Sequence, residues 1–262
     1  MGYLRFFLAL LITISHLGQQ PSQLPAHETV FVFYAVSSFF CTQAVAERYQ
    51  GKPAEFLLKR LRRLLPMFWL ALGLSAALVY SFDLSELQRQ MTAPSLIDLL
   101  RGAAMSTERS IAHPVPQAWM LGVMLFWWVM IAFGAFKTRD RTILCAGAAL
   151  VLNQSFYVAY GSLLFGFLPF ALGASAYWLG LRLPRTTGLN RWCEQVSYPL
   201  FLFHCFAAGL LWALFDIKHG LALGLISAAF VIIGYLALQL VTYGYRRLNA
   251  RAGCATGQSR SA

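Results

Sequence analysis

The sequence predicts an all-α fold, a polytopic membrane bundle of about eight transmembrane helices with both termini in the cytoplasm. Three observations predict it. Hydrophobic residues make up 58% of the chain and charged residues only 12%, about half the ~25% of a soluble domain, so too few polar side chains exist to coat a soluble core. Apolar runs recur at the roughly 20-residue length that crosses the hydrocarbon of a bilayer. Apart from Arg5, at the inner end of the first run, Lys and Arg fall between those runs, dense in every second connection.

The spans are drawn at 3–19, 29–46, 65–83, 117–136, 142–159, 161–181, 195–215 and 220–244. The first contains the apolar run Leu4–Leu17. No small-residue cleavage site follows it, so it reads as a retained helix rather than a signal peptide. After the second span, residues 53–64 carry Lys59, Arg60, Arg62 and Arg63 among leucines, the pattern of a basic interfacial helix. Pro66 should kink the passage into the third span. The long segment 84–116 contains the amphipathic stretch Leu96-Ile97-Asp98-Leu99-Leu100, expected on the outer surface or over a cavity. Only Tyr160-Gly161 separates the fifth and sixth spans. Residues 1–248 read as one transmembrane domain, and 249–262 as a disordered cytoplasmic tail.

The net charge is +11. In a soluble protein that would suggest nucleic acid; here its distribution gives the orientation instead. With the N-terminus inside, the inner segments carry Arg5; Arg48, Lys52, Lys59, Arg60, Arg62 and Arg63; Lys137, Arg139 and Arg141; Arg182, Arg185 and Arg191; and Arg246, Arg247, Arg251 and Arg260. The outer segments carry only Arg89, Arg101, Arg109 and Lys218. This bias is the positive-inside rule. The expected surroundings are the lipid bilayer, with no nucleic-acid partner. Aromatics, at 15%, suit the two interfaces. Cys41, Cys145, Cys193, Cys205 and Cys254 form no CxxC pair, so neither a disulfide framework nor a metal site is expected.

Polar groups within the spans are costly and are therefore candidates for function. Arg5 and His16 are eleven residues apart, about three helical turns, on one face of the first helix and about 16 Å apart along its axis. The spacing suits a cation at the cytoplasmic mouth with a proton acceptor deeper on the same wall. It also suits a snorkelling Arg and a packed His. Arg60 and Arg63 share a helix face on the same side of the membrane. Three guanidiniums at one mouth suit a phosphate-rich ligand, since Arg binds phosphate in a bidentate fork; anionic lipid heads are the alternative. His204 lies mid-span, as a site group or a bridge between helices. Ser37, Ser38, Asn153 and Gln154 fit helix–helix hydrogen bonding. His27, His113 and His219 fall in outer loops, and Glu28 borders a possible outer cavity.

Four segments in order resemble the acyltransferase 3 family of bacterial membrane acyltransferases, which includes O-antigen acetylases. That family has an Arg, ten residues and a His in its first helix, as Arg5 to His16 here. Its F-F-x-x-S-G-F segment is similar to Phe33-Tyr34-Ala35-Val36-Ser37-Ser38-Phe39-Phe40. Its R-x-x-R before a Pro and an aromatic resembles Arg60-Leu61-Arg62-Arg63-Leu64-Leu65-Pro66-Met67-Phe68-Trp69. Its S-Y-x-x-Y-L-x-H resembles Ser197-Tyr198-Pro199-Leu200-Phe201-Leu202-Phe203-His204. The chain departs from the family in reading Trp119-Met120-Leu121-Gly122-Val123-Met124 where W-S-L-x-x-E is common, and in having about eight spans where ten are common.

The resemblance implies a multi-pass protein of the bacterial cytoplasmic (inner) membrane that transfers an acyl group, most often acetyl, from acyl-CoA. The acceptor is a hydroxyl of an extracytoplasmic glycan or lipid-linked sugar, as in O-acetylation of lipopolysaccharide or exopolysaccharide. Arg5, Arg60 and Arg63 would hold the acetyl-CoA phosphates, with no metal involved. His16 would be the general base, since an imidazole near pKa 6.5 suits that task. Ser37, Tyr34 and His204 are the candidates to stabilise the oxyanion. The competing expectation is a non-catalytic subunit or a glycan or lipid transporter on the same scaffold.

Overall fold

The computed structural model describes residues 2–17, 26–82, 94–105, 115, 118–155, 162–181, 188–215 and 221–257. Within them, nothing is described for the side chains of residues 16–17, 26–27, 154–155, 244 and 246–257. The described residues form helices and no strand: α1 (Gly2–Leu17), α2 (Ala26–Glu47), α3 (Pro53–Ser81), α4 (Leu96–Ala103), α5 (Ala118–Ala132), α6 (Arg139–Ser155), a 3-10 turn (Leu163–Gly166) running into α7 (Phe167–Trp178), α8 (Gly188–Phe215) and α9 (Leu221–Gly257).

Each predicted span overlaps one of these helices. Segments of α2, α3, α8 and α9 are long and apolar enough to cross a membrane, whereas α1, α5 and the α7 segment are shorter apolar helices. The 15 residues of α5 rise only about 22 Å, less than a ~30 Å hydrocarbon core. The basic segment 53–64 and the third span are one helix, α3, with Pro53 in its first turn and Pro66 inside it. The last helix continues to Gly257, into the segment expected as a disordered tail; residues 258–262 lie outside the described residues. The amphipathic stretch is α4. A reciprocal capping box between Ser95 and Asp98 starts this helix. Its Leu96, Ile97 and Leu100 are exposed.

Five helices form a closed ring. α1 packs on α2, α2 on α5, α5 on α3, α3 on α8, and α8 back on α1. α9 lies outside this ring against α8 and α1, and α7 lies outside it against α2, with α6 behind. Close crossings fix the ring. A Cβ on Gly173 of α7 would fall 2.0 Å from the Ala35 carbonyl oxygen of α2, and one on Gly2 would fall 1.6 Å from that of Asn190 on α8. The Tyr3 backbone N–H also donates to Asn190 Oδ1 at 3.0 Å. These contacts set the start of α1 against the start of α8.

The core accounts for α5, which has buried residues on all sides, from Ala118 through Trp128, as an all-apolar helix inside a bundle should. Trp127 stacks on Phe136, Phe167 and Phe170, and its indole N–H donates to the Leu163 carbonyl at 2.9 Å. Cross-helix contacts bring the starts of α1, α3 and α8 and the ends of α2, α5 and α7 to one end of the bundle. They include Arg5 with Glu194, Tyr177 with Glu47, and Trp178 with the Phe136 carbonyl. The described cations from Arg5 through Arg63, with Lys137, Arg139, Arg141 and Arg191, all sit near that end. Arg101 sits on α4, which Pro94 ties to the far end of α3 by accepting from the Tyr80 hydroxyl.

Candidate functional site

The ring surrounds a partly open pocket of about 90 Å³ lined by all five of its helices: Arg5 from α1, Phe33 and Ser37 from α2, Arg60, Arg63 and Leu64 from α3, Met124 and Trp128 from α5, and Glu194, Ser197 and Tyr198 from α8. A second, larger cavity of about 400 Å³ lies beside it at the basic end. Phe40, Gln43, Glu47, Arg48, Tyr49, Phe56 and Lys59 line it. Arg5, Arg60, Arg63 and Glu194 line both. The two cavities are thus an inner chamber and an outer mouth meeting at one charged neck.

The helices place these groups by their periods. On α1 the positions Leu8, Ala9, Ile12 and Thr13 are buried, while Tyr3 and Phe7 are exposed. Arg5 lies on the buried stripe, and the backbone of His16 continues it at the next turn. The His16 side chain lies outside the described residues. Arg60 and Arg63 sit one turn apart on α3 and reach the same neck.

The cations of the mouth are held mainly by aromatic faces. Arg5 lies 4.7 Å from the Phe40 ring centroid, Lys59 lies 5.7 Å from Tyr49, and Arg60 lies 5.3 Å from both Phe56 and Trp128. A ring face orients a cation without neutralising it. Arg5 alone among them also meets a carboxylate, Glu194, at 2.9 Å. No described carboxylate pairs with Arg60 or Arg63. The neck therefore keeps its positive charge, the condition for holding an anion.

Deeper in, the walls are apolar with a few hydroxyls. Trp128 donates its indole N–H to Ser37 Oγ at 3.2 Å, and the Ser37 hydroxyl is also hydrogen-bonded to the Cys41 side chain. Ser197 donates to the Glu194 carbonyl at 2.8 Å, and Tyr198 to the Leu64 carbonyl at 2.9 Å. The second of these joins α8 to α3.

The expected site residues thus divide. Arg5, Arg60, Arg63 and Ser37 meet in one chamber. Tyr34 is fully buried, and its hydroxyl donates to the Met120 carbonyl at 3.3 Å. His204 is fully buried two turns beyond Ser197 and is not among the chamber's lining residues. Its Nδ1 lies 2.8 Å from the Phe201 carbonyl oxygen, a contact in which Nδ1 carries a proton and donates it. Ser38 donates to the Phe170 carbonyl, the helix–helix role expected of it. Glu28 and Asn153 are exposed, and the loop histidines His113 and His219 and the side chains of His27 and Gln154 lie outside the described residues.

Sequence reasoning missed Glu194, the only carboxylate among the described residues that line the inner chamber. It falls just before the span drawn from 195, at the basic end of the bundle. An acidic residue among those cations was the available signal. Met124, in the position where a Glu was expected from the resemblance, lines the chamber as an apolar side chain. Among the described residues, no group of three or more His, Cys, Asp and Glu could hold a metal ion. In comparisons with known proteins, no family model, no curated protein and no solved structure matches the chain.

Proposed function

We propose that the chain is a bacterial inner-membrane acyltransferase with about eight spans and both termini in the cytoplasm. It moves an acyl group, most simply acetyl, from cytoplasmic acyl-CoA to a hydroxyl of an extracytoplasmic glycan. One observation carries this reading: Arg5, Arg60 and Arg63 gather at the neck of a pocket lined by five helices. From there the buried stripe of α1 leads to His16. Eight spans put every second connection on the cytoplasmic side, which brings the neck to the compartment that holds acyl-CoA.

In this mechanism the CoA phosphates bind Arg60, Arg63 and Arg5, which bind phosphate bidentately. The pantetheine arm follows α1 for about 16 Å and brings the thioester to His16. A sugar hydroxyl enters from the opposite side, and His16 takes its proton as the oxygen attacks the thioester carbonyl. The C–S bond then breaks, and the CoA thiolate leaves and takes up that proton. Of the three oxyanion candidates, Ser37 is the one that lines the chamber, since Tyr34 is committed to Met120 and His204 lies outside it.

The test is a His16→Ala variant whose membrane insertion is checked. Surface glycans of that strain, read by mass spectrometry, should lack the acyl group that the wild-type chain adds. Retained acylation sinks the catalytic reading. The competing reading, a transporter or non-catalytic subunit, predicts that purified protein leaves acetyl-CoA intact with either residue at position 16.

A further inference from the structure

The neck contains one ion pair that a pure anion site does not need. Arg5 and Glu194 stand 2.9 Å apart with side chains 18% and 31% exposed, and both line the chamber and the mouth. The other mouth cations are held differently. Arg60 lies over the faces of Phe56 and Trp128, and Lys59 lies over Tyr49. The second carboxylate of the mouth, Glu47, accepts from Gln43 at 3.2 Å and from Tyr177 at 3.5 Å. Glu194 is thus the one carboxylate aimed at a cation of the neck among the described residues.

Arg5 does not need Glu194 to hold its position. The Phe40 face already supports its guanidinium. The Asn190 contacts with Gly2 and Tyr3 fix its backbone. What the carboxylate adds is occupancy. It takes up donor N–H groups of the guanidinium that a phosphate would otherwise use, and it places a negative charge where an incoming phosphate must pass.

We propose that Glu194 is a built-in stand-in for the ligand's phosphate, which it must yield Arg5 to as that phosphate enters the neck. The proposal rests on reading the neck as a phosphate site. Binding then exchanges one charge-assisted pair for another, so Glu194 weakens ground-state binding and lets the spent ligand leave. A residue with this role sets affinity and release rather than chemistry. It also disfavours ligands too weakly charged to displace it.

The experiment measures binding of coenzyme A and of inorganic pyrophosphate to the full-length protein in detergent. Wild type, Glu194→Gln and Arg60→Ala/Arg63→Ala are compared. Glu194→Gln should bind both probes about three- to tenfold more tightly, with a matching slower release. Should that variant not fold, Glu194→Asp, which retracts the carboxylate by one methylene, should tighten binding by a smaller factor. Unchanged or weaker binding to Glu194→Gln, with a clear loss in the double Arg variant, overturns the stand-in and leaves the phosphate site standing. Tighter pyrophosphate binding with no coenzyme A binding supports the stand-in and removes the acyl-CoA reading. If no variant binds either probe, both ideas fall.

Discussion

The mouth and the inner chamber meet at Arg5, Arg60, Arg63 and Glu194, yet their walls differ in kind. The mouth adds Arg48, Lys59, Gln43 and Glu47, with rings that hold cations on their faces. The chamber adds Phe33, Leu64, Met124 and Trp128, with hydroxyls already placed by hydrogen bonds to neighbours. The mouth comes from helix ends, where solvent reaches the charges. The chamber comes from mid-helix positions, where a charge would be costly. On the proposed reading, binding belongs to the mouth and chemistry lies deeper, so substitutions in the two regions should fail in different ways.

The largest effects test that division directly. Replacing Arg60 and Arg63 together by alanine removes two charge-assisted contacts, each worth about 1.5–3 kcal/mol. Coenzyme A affinity should fall about 100-fold or more, read by calorimetry, while the turnover of saturated enzyme falls far less. A loss below about threefold would mean that the neck does not bind the phosphates. Ser37→Ala should do the reverse. Loss of one oxyanion donor costs about 100-fold in turnover, with coenzyme A affinity within about twofold of wild type. If affinity and turnover fall together, the two regions are not functionally separate. Salt gives a smaller contrast. Raising ionic strength screens exposed charges, so affinity for coenzyme A should drop several-fold between dilute and 0.5 M salt. Turnover at saturation should hold.

Much of this plan was legible in the sequence, for reasons that also mark where legibility stopped. Hydrocarbon demands apolar runs of a set length, so α1 to α3 and α5 to α9 stand near their predicted positions. The bilayer does not dictate where a helix ends outside it. That is why the basic segment 53–64 belongs to the same helix as the third span, and why α9 continues to Gly257. Arg5, Arg60 and Arg63 were readable because helical period and the charge bias act locally. Glu194 was harder to read, because its partner is 189 residues away and the one local signal was an acidic residue close to Arg191. Trp128 was equally hidden. α5 is apolar all round, so no stripe tells which of its residues faces the chamber. His204, singled out by its depth and by the resemblance, is buried and does not line the chamber, since depth does not say which way a side chain turns.

The smallest predicted effect probes how the mouth holds charge. Arg60 lies 5.3 Å from both the Phe56 and the Trp128 ring centroids. Phe56→Leu keeps a buried apolar side chain of similar size but removes one π face. Exposed cation–π contacts are worth about 0.5–1 kcal/mol, and Trp128 remains in place. Coenzyme A affinity should therefore fall about two- to fivefold, with turnover unchanged and the loss persisting in high salt, since a ring carries no net charge to screen. Phe56→Tyr, which restores the π face, should recover the affinity. A Leu variant that binds as tightly as wild type would show that the rings only pack, and that backbone placement by α3 alone orients the guanidiniums.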